Sequence, residues 1–167
     1  MPALEHQVCL LLGSNIRPER NLPLAVAHLQ DKLTILRLSS VWETPAVGSA
    51  GPSFLNAAVL VGTSLKQKEL KSQILTPLEV KMGRRRSADK NAPRPIDLDI
   101  ILFDGLNLDP ALWLFAHRAV PVAEIAPDIR SQAGESLKEA AAKFISAGSI
   151  RLRPDVVLPN GLRGASL

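Results

Sequence analysis

Between Ile96 and Phe103 the chain reads Ile-Asp-Leu-Asp-Ile-Ile-Leu-Phe, and no other stretch limits the fold as much. Apolar and β-branched residues crowd it as they do a buried strand. Strand side chains alternate between faces. Ile96, Leu98, Ile100 and Leu102 are therefore expected on one face, and Asp97, Asp99, Ile101 and Phe103 on the other. The two carboxylates then stand side by side, about 6–7 Å apart, in an otherwise apolar run. Burying two like charges is costly unless something cationic sits between them. The segment just before supplies cationic side chains, and a hard divalent metal ion is the other candidate. A pair of water-facing aspartates on an edge strand shows the same bare pattern; the apolar context and the shared face favour the buried reading.

The rest of the chain frames this strand. Residues 8–12 form a short apolar run ended by Gly13-Ser14-Asn15, a strand followed by a turn. Pro18, Asn21 and Pro23 mark a helix start, and Leu22, Ala25, Val26 and Leu29 give helical spacing over residues 22–31. Residues 33–43 read as a strand, residues 45–53 as a loop, and residues 54–61 as a second clear strand. Helical periodicity returns over residues 65–82, where Pro77 predicts a kink or a split. Residues 83–93 are charged and without regular pattern. Asp104-Gly105 opens a loop towards Trp113, Phe115 and His117, residues 121–125 give a short helical piece, and Ser136 and Glu139 form a capping box opening a helix to about residue 145. In the tail, Val156-Val157-Leu158 suggests an edge strand before fraying. The order β-α-β-β-α-β around one core predicts a single α+β, ferredoxin-like domain, with helices on one face of a mostly antiparallel sheet. Residues 1–150 are expected to form the catalytic unit and 151–167 a C-terminal tail.

A net charge of +4 points to an anionic partner without saying which. The single cysteine, Cys9, cannot form an intrachain disulfide and lies in an apolar run, as a core residue does. The start of the chain has no basic segment ahead of its short apolar run, so neither a signal peptide nor a membrane span is expected. A cytoplasmic, soluble monomer is the default expectation.

Three constellations carry chemistry. Lys81, Arg84, Arg85, Arg86, Lys90 and Arg94 form a basic run opposed only by Asp89; it reads as a solvated loop or as an anion site. Arg94, held between Pro93 and Pro95 just ahead of the aspartates, suits a phosphate clamp. Phe54 and Asn56 share a strand face, where an aromatic plate beside an amide can hold a flat heterocycle; core packing is the plainer alternative. His117 is equally a packed histidine or a site residue. There is no Walker or dinucleotide glycine motif, so any ATP site is built differently. Aromatic residues scarcely interleave the basic run, which disfavours a base-stacking nucleic-acid module.

Four segments resemble one family: Leu12-Gly13-Ser14-Asn15; Thr44-Pro45 leading to Phe54-Leu55-Asn56-Ala57-Ala58-Val59; Glu79 to Gly83-Arg84 and on to Pro93-Arg94-Pro95-Ile96-Asp97-Leu98-Asp99; and Glu124-Ile125-Ala126-Pro127-Asp128. The family is hydroxymethyl-dihydropterin pyrophosphokinase of folate biosynthesis. The resemblance implies a ferredoxin-like fold and transfer of pyrophosphate from ATP to a reduced pterin alcohol, releasing AMP. It implies that Asp97 and Asp99 hold two Mg²⁺ ions. Arg84 and Arg94 would serve catalysis by contacting the phosphates, with Arg86 and His117 also on ATP. Thr44, Pro45, Val47, Phe54, Asn56 and Asp97 would line the pterin pocket. Residues 83–91 would be mobile and close over ATP. The chain also departs from the family. Ala116 replaces the usual proline before His117, and Ser87 and Asn91 stand where a lysine and a tryptophan are often found. The segment after His117 is shortened, removing an arginine and the aromatic that stacks on the second pterin face. Arg85, Arg118, Trp113 and Phe115 are the side chains available to compensate. A related transferase with another planar acceptor and a noncatalytic nucleic-acid-binding module are the alternatives.

Overall fold

A computed structural model of the chain describes residues 3–48 and 50–159. The apolar run at the start becomes β1 (His6–Ser14), followed by α1 (Pro18–Lys32), β2 (Thr34–Leu38), β3 (Trp42–Thr44) and β4 (Phe54–Thr63). A long helical segment comes next, in three parts: α2 (Gln67–Leu70), a π-helical turn (Lys71–Leu75) and α3 (Thr76–Lys81). The aspartate strand is β5 (Asp97–Phe103). After it come β6 (Leu106–Asn107), α4 (Ala116–Ile125), α5 (Leu137–Ser146) and β7 (Arg151–Leu152).

The strands form one sheet in the order β6-β5-β1-β4-β3-β7, with β2 also paired to β4. Every pairing is antiparallel. β2 lies against residues 59–62 of β4 and β3 against residues 54–56. They are one strand in two pieces, where the sequence suggested an unbroken one. The gap has a physical cause: Ser39 bonds Ala58 twice, its N–H donating to the carbonyl at 2.8 Å and its hydroxyl accepting from the amide at 2.7 Å. Counted as one strand, β2–β3 completes the order β5-β1-β4-β2/β3, the ferredoxin-like α+β arrangement.

Helices cover both faces, not one. α1 and the α2–α3 segment bury Leu10, Leu12, Leu22, Leu29, Leu70 and Leu98. α4 and α5 cover the other face, burying Cys9, Leu11, Ala58, Ile101, Leu112 and Val120. A bulge in β5 decides which side chains go where. Cys9 pairs with Leu102 but Leu10 with Ile100, so Ile101 is an extra residue. Beyond it the alternation is reversed: Leu102 joins the α4–α5 core and Phe103 packs against the other, opposite to the period-two expectation.

Helix limits also differ from the sequence reading. α1 begins at Pro18, whose missing N–H costs nothing in a first turn. Asn21 is no cap; its amide donates back to the Ile16 carbonyl at 2.6 Å. Pro77 does break the regular helix, and the break is the π turn just before it, where the Thr76 N–H reaches the Lys71 carbonyl. α4 begins at Ala116, earlier than the expected residue 121, and carries His117 and Arg118 in its first turn. The capping box is as expected: the Glu139 N–H donates to the Ser136 hydroxyl at 3.1 Å and the Ser136 N–H to the Glu139 carboxylate at 2.9 Å.

In the tail the strand is β7, paired to β3, and not residues 156–158. Val156 and Leu158 are instead buried in the α1-side core, and Arg153 bonds the carboxylates of Glu43 and Asp155. The fraying expected further on falls largely on residues 160–167, outside the described residues. Among the described residues no helix is long and apolar enough to cross a membrane. Burial pushes the Cys9 thiol up to about 12. It should not react with a thiol reagent at pH 8 until the protein is unfolded, and rapid labelling of folded protein would contradict this placement.

Candidate active site

The site begins as a row of paired residues across the sheet. Asp97 on β5 faces Gly13 on β1, Gly13 faces Asn56 on β4, and Asn56 faces Trp42 on β3. One step along, Asp99 pairs with Leu11 and Leu11 with Ala58, and there α4 and α5 close over the sheet. At Gly13 the cover ends. A Cβ there would stand 3.5 Å from the Asn56 Oδ1 and 3.7 Å from the Phe54 ring, so the bare glycine leaves that space open.

The space above Gly13 is a cavity of about 250 Å³. Phe54, Asn56, Asp97 and Asp99 line it from the sheet. Thr44, Pro45 and Val47 come from β3 and the loop after it, Lys90, Asn91 and Arg94 from the segment before β5, and Phe115, His117 and Arg118 from the start of α4. The Asn56 amide donates to the Thr44 hydroxyl at 3.0 Å and the Trp42 carbonyl at 3.3 Å, which leaves its Oδ1 for the cavity. An aromatic face beside a fixed amide oxygen and a hydroxyl suits a flat ring with a polar edge.

A second cavity of about 370 Å³ lies on the other side of the carboxylates. Lys71, Thr76 and Glu79 line it from the helical segment, and Arg84, Arg85 and Arg86 from the loop that follows. The two cavities share four residues: Lys90, Arg94, Asp97 and Asp99. The aspartate pair therefore stands at the junction of a flat-ring space and a cationic space.

Arg84 is held between two carboxylates, bonding Asp97 at 2.6 Å and also Glu79. Glu79 is buried and its other oxygen accepts from the Leu98 N–H at 3.3 Å. Burial raises the Glu79 pKa, and the Arg84 charge works against that rise. Arg94 reaches the second oxygen of Asp97 at 3.4 Å, and its guanidinium also bonds the Lys90 and Ala92 carbonyls. Asn15 fixes its backbone: the Asn15 side chain accepts the Arg94 N–H at 2.8 Å and donates to the Pro52 carbonyl at 3.4 Å. One buried amide thus ties the loop of one cavity to the clamp of both.

Asp99 has no ion-pair partner among the described residues. Burial, with Asp97 beside it, pushes its carboxyl up to about 6 despite Arg118 and Lys71 nearby. Such a carboxylate is a place where a cation is stabilising. Among the described residues no cluster of three or more His, Cys, Asp or Glu could hold a metal by itself. Two carboxylates completed by substrate phosphates are what Mg²⁺ accepts, so the donors present fit that ion. Burial lowers the His117 pKa to about 4, leaving a neutral imidazole at pH 7, its ring centroid 5.6 Å from that of Phe115.

The residues expected on ATP, pterin or metal all line one cavity or both, whereas Lys81 of the basic run lines neither. His117, expected beside ATP, lines the flat-ring cavity. Of the four side chains available to compensate for the shortened segment, Phe115 and Arg118 line that cavity and Arg85 the other, whereas Trp113 packs with the α4–α5 core. Sequence reading missed Asn15 as a tether and Glu79 as the support of Arg84, though both fall in the quoted segments. It passed over Lys71 altogether.

An α+β sheet that sets paired carboxylates between a flat-ring cavity and an arginine-lined cavity defines a phosphoryl-transfer enzyme. Residues 9–127 match the family described as 7,8-dihydro-6-hydroxymethylpterin-pyrophosphokinase (HPPK). The chain belongs to that family, whose members are ATP-dependent pyrophosphokinases. It is 34% identical over 153 residues to the 2-amino-4-hydroxy-6-hydroxymethyldihydropteridine pyrophosphokinase of Methylorubrum extorquens, covering 84% of this chain and 95% of that one. The Bacillus subtilis protein of the same name is 35% identical over 136 residues, covering 74% and 80%. A crystal structure of Plasmodium falciparum HPPK-DHPS superimposes with a TM-score of 0.60 at 14% identity, covering 84% of this chain and 43% of that one, a likeness of fold.

Proposed function

We propose that the protein transfers the pyrophosphoryl group of ATP to the hydroxymethyl oxygen of 6-hydroxymethyl-7,8-dihydropterin, giving the pterin diphosphate and AMP in folate synthesis. The observation that carries this reading is the position of Asp97 and Asp99 on the shared wall of the two cavities. The alcohol oxygen bonds to the β-phosphorus, the bond from that phosphorus to the α–β bridging oxygen breaks, and AMP leaves with that oxygen. The hydroxyl proton passes to solvent, since no side chain stands out as a general base.

In this reading the pterin lies on Phe54, with its polar edge towards Asn56 and Thr44 and with Pro45 and Val47 beside it. Phe115 is the aromatic available to its other face. The phosphate chain lies in the second cavity among Arg84, Arg86 and Arg94, and neutral His117 stands where the transferred group arrives. Asp97 and Asp99 would hold Mg²⁺, two ions in our proposal, which when bound with ATP neutralise phosphate charge and acidify the attacking hydroxyl. Arg84 and Arg94 hold Asp97 before ATP arrives and exchange carboxylate for phosphate when it does. Positioning and charge compensation do most of the work. The basic segment walls a cavity facing carboxylates, an unfavourable surface for nucleic acid. The reading places catalysis in residues 1–150, with 151–167 as the C-terminal tail, in a cytoplasmic monomer.

The test is to mix the protein with ATP, Mg²⁺ and the reduced pterin alcohol and to measure AMP. No acceptor-dependent AMP would overturn the assignment. Phe54→Ala should raise the KM for the pterin roughly tenfold or more and leave that for ATP unchanged, in keeping with the loss of one stacking face. Equal effects on both substrates would argue against the placement of the ring.

A further inference from the structure

Lys71 is one of the cations on the nucleotide side that no motif announces. In a regular helix, at about 100° per residue, residues 71 and 76 would point about 140° apart. The π turn between them changes this. With the Thr76 N–H bonded to the Lys71 carbonyl, the two residues stack on one face, and both line the second cavity. π turns are rare and recur at functional sites, because one extra residue re-aims a helix face. Here the turn also absorbs the break that Pro77 imposes, so no further distortion of the helix is needed to present Lys71.

The charge it presents acts on Asp99 across the cavity but is held by no direct contact. Among the described residues Lys71 has no ion pair and no side-chain hydrogen bond, whereas Arg84 and Arg94 are both held by carboxylates. Lys71 reaches the cavity from the helix and the arginines reach it from the loop after α3, so the cations approach from two separate segments. A compact ammonium with three donors and no hydrogen-bond or ion-pair partner among the described residues, lining a cavity with four arginines, is matched to a multiply charged anion.

We infer that Lys71 is a binding residue for the phosphate chain of ATP, presented to it by the π turn. The inference rests on the reading of the second cavity as the nucleotide side. The test is calorimetric binding of α,β-methylene-ATP with Mg²⁺, without acceptor, to the wild type and to Lys71→Gln, Lys71→Arg and Lys68→Gln. Lys71 is exposed, so the variants should fold normally. Lys71→Gln should weaken binding by roughly 5–30-fold, the loss of one charge-assisted contact. Lys71→Arg should recover most of the affinity. Lys68→Gln, on the same helical segment but not lining the cavity, should match the wild type. Equal affinity of Lys71→Gln and wild type overturns the inference, as does an equal loss in Lys68→Gln. A wild type that binds the analogue but forms no AMP overturns the proposed reaction and leaves the role of Lys71 to be decided by the affinities. No binding by the wild type overturns both.

Discussion

Replacing Asp97 or Asp99 by alanine should cut acceptor-dependent AMP formation by at least about 10³-fold, because each change removes a carboxylate from the proposed meeting place of phosphate and cation. The fold should survive both changes. Asp99→Ala should even leave the protein without ligands more stable at neutral pH. The Asp99 carboxyl sits at about 6 in the folded chain against an ordinary 3.8, so the folded state holds that proton more tightly than the unfolded state does. Its contribution to stability is then complete below about 4 and lost as pH rises through about 6. The gain from Asp99→Ala is accordingly expected at pH 7 and absent near pH 4, as read from denaturant midpoints at the two pH values. Near-normal AMP formation by both variants would sink the assignment of the carboxylates. A loss of activity that follows a collapse of the fold would show that they serve structure instead.

Arg84→Ala is expected to be the most damaging single change outside the carboxylates. It leaves Glu79 buried and its charge unmatched, at a cost of about 2–4 kcal/mol, towards the low end for a broken buried pair because Arg84 itself is partly exposed. AMP formation should fall by about 10²-fold or more, since the proposed charge on the phosphates is lost as well. The two effects can be separated. Burial already raises the Glu79 pKa above its ordinary 4.5, and without Arg84 the rise is larger. A raised carboxyl contributes stability below its unfolded value and loses it as pH climbs, so the Arg84→Ala deficit should shrink between pH 7 and pH 4.5. Adding Glu79→Gln should restore much of the stability at pH 7 and none of the activity. Recovery of both would make Arg84 a support for the strand and not a phosphate contact.

What the sequence revealed, and what it hid, follows from where each signal lives. The centres of β1, β4 and β5 were legible because apolar runs there are bounded by Gly-Ser-Asn, by a loop and by Asp-Gly. The break between β2 and β3 was not, because Ser39 leaves the strand to bond Ala58, a partner far along the chain. The bulge at Ile101 was hidden for a different reason: Ile100, Ile101 and Leu102 are all apolar, so no alternation existed to be seen shifting. The first turn of α4 escaped because Phe115, at its N-cap, makes no side-chain cap bond. Asp97, Arg94 and Phe54 stood out by residue type and spacing. Lys71 did not, since its direction depends on one residue's worth of helix geometry that Pro77 imposes from six positions away.

The open end of the sheet at Gly13 bears on how the protein breathes. The floor of both cavities belongs to β1, β4 and β5; the amides of β1 and β4, flanked by strands on both sides, should exchange with solvent only when the whole molecule unfolds, whereas β5 has β6 beside it only at Leu102 and Phe103. The walls above it, residues 45–48 and 83–96, contain no helix or strand and should exchange within seconds except at bonded amides such as that of Arg94. ATP with Mg²⁺ should then slow deuterium uptake in residues 83–96 while the three strands keep their rates. Chemistry would take place between a bed that does not move and a cover that does, so that turnover is timed by the cover.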